Sequence, residues 1–91
     1  MEETDQEETL FEFPCSYPVK AMGRDEDSFE ALVTGIILAH AEIYADTQVV
    51  TNPSESGKFL AVTVTIEALS KDQLARIYQD LKDCEQVLVT L

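Results

Sequence analysis

One histidine, two cysteines and a large excess of acids are the groups from which this 91-residue chain could build chemistry. Nucleophilic catalysis needs a base held against a nucleophile. The single histidine, His40, continues a run of Phe29, Leu32, Val33, Ile36 and Ile37 spaced as one face of a helix. In that position it reads as a histidine at the rim of a core, and its only acids within helical reach are Glu42 and Asp46. Asp25, Glu26 and Asp27 stand together and could ligate a divalent cation. They lack the spacing of a calcium loop, however, and acids gathered at a helix start suit the positive end of its dipole. Cys15 and Cys84 are far apart and outside any Cys-x-x-Cys pattern, which argues against a disulfide scaffold and a zinc site. Gly23 and Gly57 are isolated, so no glycine-rich loop is present to cradle phosphate. These residues imply no catalytic set, no metal and no cofactor.

Charge narrows the partners. Eighteen acids against six bases give a net charge of −12. Glu2, Glu3, Asp5, Glu7, Glu8 and Glu12 supply half of it, with no base among residues 1–12. Such a chain repels phosphate backbones and anionic lipid headgroups, so nucleic acid and membrane are the wrong partners. No apolar run approaches the ~18 residues of a membrane span, and no basic segment precedes an apolar one as in a signal peptide. A cytoplasmic protein is expected. Ninety-one residues allow a single domain, with an apolar content of 45% to build its core.

The elements that must position any site follow from periodicity. Residues 1–9 read as a loose acidic tail, and residues 10–91 as the domain. Cys15, Tyr17, Val19 and Ala21 alternate with Ser16, Pro18, Lys20 and Met22, predicting a strand over 15–22 that Gly23 ends. Pro18 fits a ladder only if the regular strand begins after it or if it lies beyond a shorter neighbour. The helix carrying Phe29 to His40 is predicted to end near Tyr44. A short β-prone run over 46–52 and a stronger one from Phe59 to Ile66 flank the turn Asn52-Pro53-Ser54-Glu55-Ser56-Gly57, making a hairpin. A second helix starts at a capping box of Ser70 and Gln73, with Leu69 and Leu74 placed as a hydrophobic staple. Leu74, Ile77, Tyr78 and Leu81 are its buried stripe, and Asp72–Arg76 and Arg76–Asp80 its exposed ion pairs. Val87, Val89 and Leu91, alternating with Gln86, Leu88 and Thr90, form the last strand.

The order βαββαβ is that of an α+β, ferredoxin-like sandwich. Right-handed crossovers put both helices on one face of a four-stranded antiparallel sheet of order 4-1-3-2. The other face stays open. On it the alternation places Met22, Phe59, Ala61, Thr63, Thr65 and Leu88, a mixed apolar and threonine surface available to a protein partner or to self-association. RNA-binding sheets of this shape stack bases on aromatics, but here Ala61 and Val64 stand where further aromatics would be wanted.

Short motifs along the chain resemble a known family. Phe13-Pro14, the run from Tyr17 to Gly23 ending Lys-Ala-Met-Gly, and His40-Ala41 are three of them. Pro53-Ser54 with Gly57, Val62-x-Val64-x-Ile66 and the ending from Val87 to Leu91 complete the set. In order and spacing, over residues 10–91, they are similar to the YbeD-like family of uncharacterised small bacterial proteins. The acidic tail and the longer stretch between His40 and Pro53 depart from it. The resemblance implies a fold close to the ACT regulatory domains and no catalytic residues. It makes the loop at Gly23 and Arg24 a place for a small effector, by analogy of fold. The expectation is a non-catalytic regulatory or adaptor domain; the competing one is a small hydrolase or transferase with an unrecognised active site.

Overall fold

The structure is a computed structural model and describes residues 12–26 and 28–91. The acidic segment 1–9 and Asp27 lie outside the described residues. Six elements follow in the expected order: β1 Cys15–Arg24, α1 Phe29–Leu38, β2 Gln48–Pro53, β3 Phe59–Ala68, α2 Lys71–Lys82 and β4 Val87–Thr90. The sheet runs β2-β3-β1-β4 and is antiparallel throughout.

β3 and β1 are the two inner strands, and β3 shows the stronger alternation. Val62, Val64 and Ile66 are fully buried against the helices, as are Val19 and Ala21 of β1. Val33 and Ile37 of α1 and Ile77 and Leu81 of α2 close the core from the other side. Pro18 resolves in favour of a shorter neighbour. β4 pairs with Ala21, Met22 and Gly23 only, so no strand lies beside Pro18 on the outer edge and its missing N–H breaks no ladder bond.

Three local details differ from the sequence reading. β1 does not stop at Gly23 but continues through it to Arg24, with Gly23 opposite Leu60. α1 ends at Leu38, six residues short of Tyr44, because Val33, Thr34, Gly35, Ile36 and Ile37 are weak helix formers and its last turn lacks a base. Its end tightens as the His40 amide donates to the Ile37 carbonyl at 3.1 Å. Finally, Arg76 pairs with neither Asp72 nor Asp80 among the described residues, since the Asp80 carboxylate turns to His40 instead.

The capping box is present in substance. The Ser70 hydroxyl accepts from the Gln73 amide at 3.1 Å, and Gln73 Oε1 accepts from the Leu69 amide at 2.6 Å. Leu69 itself remains exposed, so the staple with Leu74 buries little. Ser70→Ala leaves the Gln73 N–H unpartnered and should cost about 1 kcal/mol, read as a lower denaturant midpoint at unchanged m-value. Cys15 and Cys84 are both free thiols. Cys15 starts β1 and Cys84 precedes β4, whose antiparallel register sets the two at opposite ends of the sheet, about 25 Å apart along eight strand residues.

Candidate functional site

The uncovered face of the sheet is read directly from the register, since residues directly opposite on paired strands share a face. Arg24 stands opposite Phe59. The next row is Val89, Met22, Ala61 and Asn52, and the one after it Lys20, Thr63 and Val50. Pro18, Thr65 and Gln48 follow. Phe59, Met22, Thr63 and Thr65 are half-buried on this face, where the alternation put them.

Two of the expected surface residues are placed differently. Ala61 is only 6% exposed, because its methyl group sits low between Met22 and Asn52, with Phe59 and Thr63 on either side along the strand. It cannot offer contact area. Leu88 lies at a β-bulge: Met22 is opposite Val89, but Gly23 is opposite Val87. The extra residue breaks the alternation that had grouped Val87 with Val89. Val87 packs on the core, and Val89 shares the open face with Met22. Leu88, 54% exposed, turns instead to the rim. Val50 and Val89 were missed by the sequence reading and are 47% and 46% exposed. Period-two spacing from Thr65 across the hairpin could have found Val50; nothing in the sequence marks the bulge.

The bulge adjoins the tightest point of the molecule. A Cβ on Gly23 would lie 2.6 and 2.7 Å from two ring carbons of Phe29, and closer still to the Gln86 carbonyl oxygen. Only glycine lets the first turn of α1 and the start of β4 meet over β1 here. Beside this joint lies a cleft of about 230 Å³ lined by Arg24, Glu26, Glu85, Gln86 and Leu88. Just past Arg24 the Asp25 amide donates to the Lys58 carbonyl at 2.8 Å. Gly23 and Arg24 thus play different parts. Gly23 is a buried packing joint, and Arg24 is an exposed cation between the cleft and Phe59.

At the far end of the domain His40 is neither helical nor in the core stripe. Its Nε2 meets Asp80 Oδ2 at 2.6 Å, and its carbonyl accepts from Gln73 Nε2 at 2.9 Å. These bonds tie the end of α1 to α2. A groove of about 400 Å³ beside them is lined by Leu38, Ala39, His40, Ala41, Glu42, Leu69 and Gln73, with no hydroxyl or thiol side chain among them. Both side chains of the His40–Asp80 contact are partly exposed, so His40→Ala should cost no more than about 1 kcal/mol. Gln73→Ala, which removes bonds to His40 and Leu69 together, should cost more; urea melts of the two variants make the comparison.

On the other side of the domain the Tyr78 hydroxyl donates to the Leu91 carbonyl at 3.0 Å, fastening α2 to the end of β4. Burial, and then the neighbouring Tyr17 hydroxyl, push the Tyr78 phenol above its ordinary range.

Residues 8–91 match the model of a family described as a protein of unknown function, DUF493. The chain belongs to that family. Relatives named UPF0250 protein cover nearly all of it. One from Chromobacterium violaceum is 40% identical over 88 residues, 97% of this chain and 99% of its own length. One from Nitrosomonas europaea is 38% identical over 85 residues, 93% and 98% of the two chains. The YbeD-like resemblance is therefore established. Among solved structures, protein HP0495 from Helicobacter pylori superposes with a TM-score of 0.73 at 16% identity, over all of this chain and 96% of its own. The ACT domain of a GTP pyrophosphokinase from Chlorobium tepidum superposes at 0.63 with 18% identity, over 85% of this chain and 83% of its own. The DUF493 chain thus has an ACT-like, ferredoxin-like fold. Among the described residues no helix is long and apolar enough to cross a membrane.

Proposed function

We propose that this DUF493 protein is a non-catalytic regulatory or adaptor module of the cytoplasm that works by binding through its uncovered sheet face and the adjoining Arg24 corner. The observation that carries the reading is the character of that face. Val50, Val89, Met22 and Phe59 gather on it beside Lys20 and Arg24, while the chain as a whole carries −12. An apolar surface rimmed by polar groups is the usual mark of an interaction site. The cleft of about 230 Å³ beside Arg24 is small and sets one guanidinium against the carboxylates of Glu26 and Glu85, so it suits a compact effector that carries an acidic group together with hydrogen-bond donors. The net charge weighs against nucleic acid and anionic membranes as partners.

Two assays test the reading: capture of protein partners from cytosol, and thermal shifts with a panel of small anionic metabolites. Both should respond to Met22→Asp, which places a carboxylate at the centre of the face, and the thermal shifts also to Arg24→Ala. Partner capture and thermal shifts that both survive these changes would refute it.

One feature favours the hydrolase or transferase reading enough to be tested. His40 and Asp80 form a histidine–carboxylate pair beside a groove, as a general base and its orienting acid would. The groove supplies no side-chain nucleophile, so such an enzyme would have to activate water. Loss of a measured hydrolytic activity in His40→Gln, with folding intact, would support it.

A further inference from the structure

The bases on the open face have a definite spacing. β1 is regular against β3 from Cys15 to Arg24, so Lys20, Met22 and Arg24 share one face at steps of two residues. The two cations are therefore about 13 Å apart with a thioether between them. Neither has an ion-pair partner among the described residues. On the four strands the only acid sharing this face is Glu67, opposite Ser16 at the far end, while Glu26 and Glu85 border Arg24 across the cleft at its corner. The face thus runs cation, apolar, cation in a chain that is otherwise strongly acidic.

An extended segment reads such a row when it carries acid, apolar and acid at alternate positions, because it has the same period and rise. The sequence contains that pattern at Glu8-Thr9-Leu10-Phe11-Glu12. The comparable Glu42, Tyr44 and Asp46 are held in a turn, where the Tyr44 hydroxyl donates to Ser16 Oγ at 3.2 Å and its amide to Thr47 Oγ1 at 2.8 Å. A chain cannot set Glu8 and Glu12 on its own row. Glu12 is three residues from Cys15, so its Cα reaches at most about 11 Å, whereas the Lys20 Cα lies about 17 Å along β1 and the chain must first reverse direction to approach it. Glu8 reaches at most about 25 Å towards an Arg24 some 30 Å away, and reversing direction would consume more.

We propose that the open face is the receptor for residues Glu8 to Glu12 of a second copy of this chain. Leu10 covers Met22, and Glu8 and Glu12 meet Lys20 and Arg24. The exchange is reciprocal, so it closes as a two-fold dimer. It brings the acid-rich segment of each copy to the face of the other that carries Lys20 and Arg24. The proposal rests on the open face being the working surface, and it adds the occupant.

Sedimentation of the full chain tests it. A dimer is expected that weakens about tenfold or more as salt rises from 0.05 to 0.5 M. Lys20→Glu with Arg24→Glu should raise the dissociation constant at least tenfold, and so should Glu8→Lys with Glu12→Lys. All four changes in one chain should restore the dimer, as should mixing the two double variants. A wild-type chain that stays monomeric to about 1 mM at low salt overturns the inference, with small-ligand binding judged separately. A dimer broken by Met22→Asp but indifferent to the charge reversals also overturns it, while leaving the open face as an interface.

Discussion

Gly23→Ala is expected to lower the melting temperature by 10 °C or more, while Gly35→Ala raises it. The same added methyl group meets opposite surroundings at the two positions. At Gly23 it runs into the Phe29 ring and the backbone carbonyl of Gln86. The ring could rotate or slide, but the carbonyl belongs to the turn that launches β4 and has no rotamer to change. Relief requires β4 or α1 to move away from β1. Such overpacking costs about 1–3 kcal/mol and more where backbone must shift, and each kcal/mol is worth roughly 4–8 °C in a domain of this size. At Gly35, exposed on α1, nothing lies within 4 Å of the new Cβ. There the alanine removes unfolded-state freedom and adds helix propensity, a gain of about 0.5–1 kcal/mol. Melting curves of both variants decide the matter. Near-equal effects of one sign would mean that the approach of Phe29 and Gln86 over β1 is not as described.

The contrast shows what the amino-acid order discloses and what it withholds. Alternation along Phe59–Ile66 is a property of neighbouring residues, so it assigned both faces of β3 and, through the hairpin and the two crossovers, the strand order. The Ser70–Gln73 cap was legible for the same reason: its partners are three residues apart. Gly23 carries no such local signature. Its role depends on Phe29 and Gln86, and only the second lies far away in sequence; Phe29 is close but reaches the glycine only once α1 has folded back on β1. The bulge opposite Met22 is likewise a product of pairing. β4 alone alternates cleanly, and it is the register with β1 that transfers Val89 to the open face and sends Leu88 to the rim. His40 was assigned to a helical stripe because the spacing continued through it, yet helix formers fail before it and Gln73 takes over its carbonyl. The side chains that bear on function lie mostly at these joints, where elements meet, and the face itself was more legible than its edges.

Val64→Ser is expected to cost at least about 1 kcal/mol more than Phe59→Ser, although phenylalanine is the larger residue. The two sit on the same strand on opposite faces. Val64 is fully buried in the row Val49, Val64 and Val19, with both helices above it. Serine there removes two methyl groups from a packed core and introduces a hydroxyl with no free partner, for a total of about 3 kcal/mol or more. Phe59 is half-buried on the uncovered face beside Arg24. Its replacement forfeits part of one ring's burial, about 1–2 kcal/mol, and leaves the serine hydroxyl in water. Denaturant midpoints with unchanged m-values measure both costs. The order of effects reverses in a binding assay: Phe59→Ser should weaken association through the open face, whereas Val64→Ser should leave the affinity of the fraction still folded unchanged. Equal destabilisation by the two substitutions would place Phe59 in a core of its own, and a second layer would then have to cover the face in solution.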